Sequence, residues 1–323
     1  MKHIAKLKKR NSYWQLVGSQ ACQDICSRID KAYQLFFKYH KRGVRPPSFC
    51  KSKKYKSFTL KQAGYKLLGS NQIRIGSHKY KFHKSREIEG KIKTLTVKRA
   101  ATGDMYIYVV TDVVSEDIGI ASGKAAGFDF GLKTFLVDSM GNEYQAPLLM
   151  RKASLLIQRL SKKLSSKKLG SNNWNKARIA LAKLHFSIVN KRRDFFWKLA
   201  HQLCDTYDYL FFETLNLDGM KRLWGHKVSD LAFATFLEIL QCVAVKKGKF
   251  VSFVDKWYPS SKTCNHCGHV HKSLKLKDRW WRCPACHKDQ LRDIGAAVNI
   301  LREGASSHEL GDVSQGFGFA IAV

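Results

Sequence analysis

Three acids and four cysteines stand where their neighbours would make them costly without a task. Asp129 lies in Gly127-Phe-Asp-Phe-Gly131, with apolar residues on both sides. A carboxylate inside a short apolar strand is expensive unless a partner or a metal meets it. Glu213 closes the apolar run Tyr209-Leu-Phe-Phe-Glu213, and Asp293 opens Arg292-Asp-Ile-Gly-Ala-Ala-Val-Asn-Ile300. Singly, Glu213 could solubilise a strand end and Asp293 could cap a helix. Together they suit phosphodiester hydrolysis with two Mg²⁺ ions, which needs several carboxylates converging on one point. Asp129 would bridge both ions, and Glu213 and Asp293 would complete their shells.

The cysteines make two C-x-x-C knuckles, Cys264-Asn-His-Cys267 and Cys283-Pro-Ala-Cys286, with fifteen residues between them. Two knuckles close a tetrahedral thiolate site for zinc, and four protein ligands leave no position open for chemistry. The predicted role is therefore structural. A redox C-x-x-C is the competing reading. His266, His269, His271 and His287 are near enough to substitute, and read as bystanders or as contacts to nucleic acid. Nine cysteines in all, five of them scattered through apolar or helical positions, point to a reducing compartment.

The elements that must carry these residues change character along the chain. Positions 12–42 predict a helix with Cys22, Ile25, Cys26, Ile29, Tyr33, Phe36 and Phe37 as one apolar stripe, stopped by Pro46 and Pro47. From 57 to 112 the period falls to two, with Tyr106, Tyr108 and Val110 alternating after Ala101-Thr-Gly-Asp104. This predicts an antiparallel β unit with one packed and one basic face. Strands at 125–130 and 135–138, then a tight turn at Gly141-Asn142, read as the three-stranded opening of an RNase H fold. Acids in the order Asp, Glu, Asp suggest its RuvC branch; a strand-joining transposase would place Asp second and Glu last. The expected class is α/β multidomain. Its expected parts are a helical segment (1–56), a β-rich domain (57–122), a RuvC-like core (123–262) holding a basic helical hairpin (150–206), a zinc ribbon (263–290), a last helix (291–303) and a disordered tail (304–323).

The net charge is +33, from 58 Lys and Arg against 25 Asp and Glu, spread over the whole chain. Such a surface repels itself unless a polyanion shares it. The runs Lys51, Lys53, Lys54, Lys56; Lys162, Lys163, Lys167, Lys168; and Lys191, Arg192, Arg193 are the candidate nucleic-acid contacts. No apolar run reads as long enough to span a membrane, and Met1–Arg10 lacks the apolar stretch of a signal peptide. A cytoplasmic, nucleoid-associated protein without a membrane partner is expected.

Four blocks resemble the signature of the TnpB family of transposon-encoded, RNA-guided DNA nucleases, relatives of compact type V CRISPR effectors. They are Gly127-Phe-Asp-Phe-Gly-Leu-Lys, Phe212-Glu-Thr-Leu-Asn-Leu, Tyr258-Pro-Ser-Ser-Lys-Thr-Cys-Asn-His-Cys-Gly268 and the block at Arg292. Phe49 to Leu60, Ile88 to Lys93 and Leu184 to Asp194 are similar too, so the likeness runs from roughly residue 40 to 303. The resemblance implies a recognition lobe of helices and a β barrel, a nuclease lobe of RuvC core and zinc ribbon, a guide RNA, a DNA target and a short motif beside it. It places Asp129, Glu213 and Asp293 at the family's catalytic positions. Family members open with a further strand and helices, so an N-terminal piece is expected to be missing and the β unit to have an unpaired edge. Gly295 stands where Asn is common, which would loosen the helix start. The rival readings are an RNA-guided DNA binder that represses without cutting and a transposase accessory protein.

Overall fold

The computed structural model describes residues 2–15, 17–51, 54–69, 71–113, 122–275 and 277–308, the side chains of Lys2 and His226 apart. Lys53 and the end of the expected tail, 309–323, lie outside the described residues. The chain divides into two compact units that part at residue 114.

In the first unit α1 (Lys2–Arg10) precedes the expected helix, and the single helix expected over 12–42 is two, α2 (Ser12–Gln15) and α3 (Ser19–Tyr39), with a short 3-10 turn at His40–Arg42. The breaks have local causes. The Asn11 side chain accepts from Tyr13 N, and Gly18 takes an extended conformation at the start of α3. The apolar stripe packs only at its beginning: Cys22 is buried, whereas Ile29, Tyr33 and Phe37 are exposed. Six strands follow: β1 (Ser57–Leu60), β2 (Tyr65–Leu67), β3 (Gln72–Ile75), β4 (His78–Lys81), β5 (Ile92–Arg99) and β6 (Met105–Thr111). They form two antiparallel three-stranded sheets, β1-β5-β6 and β2-β3-β4, around Leu60, Ile73, Leu95 and Val97. Arg28 fastens α3 to this body through Ser57 Oγ (3.1 Å) and Thr59 Oγ1 (3.0 Å). The register Val97↔Ile107 and Leu95↔Val109 turns Ile107 and Val109 inward. The alternate set Tyr106, Tyr108 and Val110 therefore faces out, uncharged, where a basic face was expected.

The second unit is built on a five-stranded sheet of order β11-β10-β7-β8-β9. Its elements are β7 (Ala125–Phe130), β8 (Leu136–Asp138), β9 (Glu143–Tyr144), α4 (Leu149–Lys152), α5 (Ser154–Ser165), α6 (Asn172–Thr206), β10 (Tyr209–Glu213), α7 (Leu217–Leu231), α8 (Phe233–Lys246), β11 (Phe250–Val254), β12 (Trp280–Arg282), β13 (Asp289–Leu291) and α9 (Arg292–Ser307). β7, β8 and β9 run antiparallel, and β10 runs parallel to both β7 and β11. α5 and α6 pack together, the chain turning at Gly170 (φ 82°), and Ser171 Oγ caps α6.

Alternation along the strands sorts the side chains into two layers. Phe128, Phe130 and Phe212 face α6 and α8 and join Phe135, Phe196, Phe233 and Phe236 in the main core. Phe211 and Val254 face the other way, against Ile300, Leu301 and Ala305 of α9. α9 therefore runs past the expected end at 303, because Gly304 and Ala305 are buried against the sheet. The stretch Lys227–Lys246 does reach membrane-spanning length and hydropathy, contrary to the expectation from the sequence. It is broken at Ala232, which takes a left-handed conformation (φ 48°), and Phe233, Phe236, Ile239 and Leu240 beyond the break are buried in the core.

At the far end of the central strands Asp208 is buried (2% exposed) with Lys249, and accepts from Ser122 N and Oγ at 2.7 Å. Burial would raise its carboxyl, but the Lys249 and Ser122 bonds hold it well below the usual range. A depressed acid adds stability that is present above its unfolded pKa, near 4, and lost as pH falls through the folded value. Asp208→Asn is accordingly expected to cost about 3 kcal/mol at pH 7, since it strands a buried ammonium. The gap to the parent should close progressively below about pH 4 in urea titrations. An equal gap at pH 7 and pH 3 would show that the pair contributes nothing as an ion pair.

Candidate active site and metal centre

Gly127 decides where α9 lies. A Cβ there would stand 2.1 Å from Ala297 O and 2.4 Å from Leu301 N, so only glycine lets the helix backbone rest on β7. Gly304 repeats the device against the Phe211 ring, where a Cβ would fall 2.2 Å from Cδ1. Ala296 and Ala297, both buried, complete the close approach.

Asp129 is two residues beyond Gly127 and so shares its face. Glu213 is two beyond Phe211, on that same α9 face, and one beyond the pairing Phe212↔Phe128. Asp293 is one helical turn before Ala297, towards the Asp129 end of β7. Strand alternation and helix pitch thus direct three carboxylates to one end of one face. Burial pushes Asp129 well above the usual carboxylate range, the charges of Glu213 and Asp293 push it further, and Arg292 and Arg279 offset part of this. Burial also raises Glu213, against one bond from Ser260 Oγ (3.4 Å). Arg279 holds Asp293 with Nη1 at 2.7 and 3.1 Å from its two oxygens.

Asp138 supplies the contrast. It is fully buried, where Asp129 keeps some exposure, and accepts from Met140 N, Asn142 N, Asn142 Nδ2, Tyr144 Oη and Tyr207 Oη at 2.8–3.1 Å. Its oxygens are spent on shaping the β8–β9 turn. No donor among the described residues is directed at Asp129. An acid cluster that repels itself, with no donor directed at its central member, suits cations, and a guanidinium already occupies Asp293.

The four cysteine sulfurs lie within 4.8 Å of one another. Cys264 Sγ is 3.7 Å from Cys286 Sγ, and Cys267 Sγ is 3.6 Å from Cys283 Sγ. A tetrahedron with Zn–S of about 2.3 Å has edges of roughly 3.8 Å, whereas a disulfide needs about 2.05 Å. The spacing fits zinc and excludes a bonded pair. Burial opposes ionisation of Cys283, yet the N–H groups of Cys286 and Ala285 draw its thiol down to about 7. Among the described residues no histidine joins this cluster.

The cysteine unit is tied to the acids by residues whose roles composition does not reveal. Asn299, buried in α9, donates to Ser260 O and Thr263 O, both at 2.8 Å, and so fixes the turn whose hydroxyl meets Glu213. Arg292 donates to Lys275 O (2.9 Å) and Ser261 Oγ (3.1 Å). α9 is continuous through Gly295, and a Cβ there would sit 3.2 Å from Gln290 Oε1. The block from Arg292 to Ile300 is therefore a fastening as much as a carrier of Asp293.

Of the candidate nucleic-acid contacts, Lys51, Lys54, Lys56, Lys162, Lys163, Lys167, Lys168, Lys191 and Arg193 are exposed. Arg192 is not free for that role: it donates to Ser229 O (3.1 Å) and Asp230 O (3.2 Å), closing the end of α7.

Two family descriptions match this chain: OrfB_IS605, a probable transposase, over residues 108–223, and the Cas12f1-like TNB domain over 233–300. A Streptomyces pristinaespiralis protein, provisionally named an RNA-guided DNA endonuclease, is 29% identical over 222 residues, covering 68% of this chain. The chain spans about half of that relative, 54% of its length. InsQ of Escherichia coli K12, provisionally named likewise, is 26% identical over 92% of this chain and 77% of its own. The fold is similar to Cas12f1 in a cryo-EM structure of its complex with sgRNA and target DNA: TM-score 0.56 at 15% identity, over 87% of this chain and 70% of that one.

Proposed function

The chain belongs to the TnpB family, and from that premise we propose that it is an RNA-guided DNA endonuclease of a transposable element, cutting phosphodiester bonds with Mg²⁺ at a RuvC-type site. The observation that carries the reading is the convergence of Asp129, Glu213 and Asp293 on the α9 face of the sheet. An antiparallel β7-β8-β9 meander with β10 and β11 added in parallel beyond β7 is the order expected of an RNase H-like core. The two sheets of the first unit stand for the family's barrel, and the cysteine unit for its zinc ribbon.

Asp129, Glu213 and Asp293 would hold the cations. Bound there, divalent metal supplies an activated water and neutralises charge on the leaving oxygen. The chain's own part is placement. Ser260 orients Glu213, Asn299 holds Ser260, and Gly127 sets the distance of Asp293 from Asp129. Arg279, paired with Asp293, keeps a guanidinium beside the site that could meet a substrate phosphate. The exposed lysines of both units supply a surface for guide RNA and target DNA.

The test is purification from cells carrying the DNA that flanks the gene. The protein should bring down one defined RNA, and with Mg²⁺ it should linearise only a plasmid that matches that RNA. Recovery of no defined RNA, or cutting that ignores the match and survives EDTA, would refute the proposal.

A further inference from the structure

Asp138 ends β8 as a fully buried carboxylate that the chemistry above does not use. Its five donors are two backbone N–H groups, the Asn142 amide and the phenols of Tyr144 and Tyr207, and none carries a charge. Burial and the neighbouring carboxylate push both phenols above their ordinary value, so they stay protonated and donate through the neutral range. A charge buried among neutral donors is costly. What a fully satisfied network supplies is one fixed arrangement of the groups around it.

The group so fixed is the turn at 139–142, which is closed by Gly141 N to Asp138 O and by Asp138 N to Asn142 O, both at 3.0 Å. Two of its residues touch the carriers of the acids. Ser139, itself buried, brackets one peptide unit of β7: its N–H donates to Gly127 O at 2.9 Å, and its Oγ accepts from Gly127 N at 3.3 Å. Gly127 is where α9 rests, two residues before Asp129. Gly141 (φ 87°) lies against Ile294, with a Cβ there 3.4 Å from Ile294 Cδ1, and Ile294 adjoins Asp293. The turn thus holds β7 with one residue and the first turn of α9 with another. Tyr207, which caps α6, ties the same carboxylate to the helical layer.

We propose that Asp138 is a positioning residue: through the turn at 139–142 it fixes β7 and the start of α9 against each other, and so sets the separation of Asp129 from Asp293. The proposal rests on the reading of that cluster as a metal-holding, phosphodiester-cleaving site, and one arm of its test needs no metal.

The test uses the full-length protein. Asp138→Asn keeps the size of the side chain but cannot accept from all five donors. Asp208→Asn is the control, since it removes another buried acid at the far end of the central strands. In Mn²⁺ titrations followed by electron paramagnetic resonance, Asp138→Asn should weaken binding about tenfold, as loss of support around a metal site does. Asp208→Asn should stay within about twofold of wild type. Ile294→Ala, which removes the contact with Gly141, should also weaken Mn²⁺ binding, and the double variant should fall short of the product of the two losses. In metal-free protein, amide exchange over 296–300 should quicken about tenfold in Asp138→Asn relative to Asp208→Asn. Should Asp138→Asn fail to fold, Tyr207→Phe removes one donor only and carries the same comparison, with a loss of about threefold. Wild-type Mn²⁺ affinity and wild-type exchange in the folded variant, or equal losses in Asp208→Asn, would overturn the proposal. If exchange at 296–300 quickens in Asp138→Asn alone while wild-type protein binds no Mn²⁺, the positioning stands and the metal-dependent reading fails.

Discussion

Asp129→Ala is expected to lower Mg²⁺-dependent cleavage by on the order of 10³-fold or more, while guide and target binding stay within about twofold. The reason is positional. Asp129 is the one acid that faces both others, being raised by the charges of Glu213 and Asp293 together. Its loss removes the group that ties the site into one, but touches none of the exposed lysines. A second readout follows from its surroundings. Asp129 is desolvated, repelled and unaided by any donor among the described residues, so neutralising it should not destabilise the fold. The isosteric Asp129→Asn should have a metal-free melting temperature equal to or above that of wild type, the usual exchange of stability for activity at a working site. Parental cleavage by either variant, or a melting temperature several degrees lower for Asp129→Asn, would show that the carboxylate serves structure.

Loss of the zinc should do more damage than the small size of its unit suggests. The segment from Cys264 to Cys286 has a minimal core of its own, Cys264, Leu274, Trp281 and Cys283, and structural zinc in such units supplies most of the folding free energy, roughly 10–16 kcal/mol in isolated peptides. Cys283→Ser, or a strong chelator, should therefore release about one zinc per chain and open 263–291 to proteolysis. The disturbance would pass along Arg292 to Lys275 and Asn299 to Thr263. From there it reaches the start of α9 and the Ser260 turn, and through them Asp293 and Glu213. Cleavage should fall about 10–100-fold, the effect of losing support around a metal site. The phenylalanine core between the sheet and α6 and α8 shares no residue with this unit and should still melt cooperatively. A variant that keeps its zinc, or that loses it with 263–291 still protected, would contradict this account.

Much of the site is legible in the amino-acid order alone. Asp129 announces itself because a carboxylate between phenylalanines has no cheap structural explanation, and the cysteines because their spacing is a coordination geometry written in sequence. The supporting residues are not legible, since their roles depend on what folds against them. Arg279 and Arg292 sit among other basic residues, and nothing local distinguishes a guanidinium that binds Asp293 or a backbone carbonyl from one in solvent. Arg192 misleads for the same reason: charge predicts a surface, but the carbonyls at the end of α7 claim it. β6 offers two alternating apolar sets, and only its register with β5 decides which faces in. The helix of α3 reads as too long because the helical period continues across Gly18, whose extended backbone separates α2 from α3. Asp138 is the converse case, a fully buried acid that its neighbours in sequence do not mark, because its five donors come mostly from side chains and turns formed later.

The third acid rides on α9, the last helix among the described residues, and this sets a schedule. Translation delivers Asp129 and Glu213 early, on strands that can pair as soon as they emerge, and domains tend to settle as they are made. A growing chain that ends between Val254 and Asp293 has every strand of the sheet but lacks Asp293. While it is attached to the ribosome, close to messenger and ribosomal RNA, such a chain carries a basic surface and an incomplete centre. It can gather a polyanion before the third acid is in place. The order of synthesis thus completes the acid cluster only after the sheet that carries its first two members has been made.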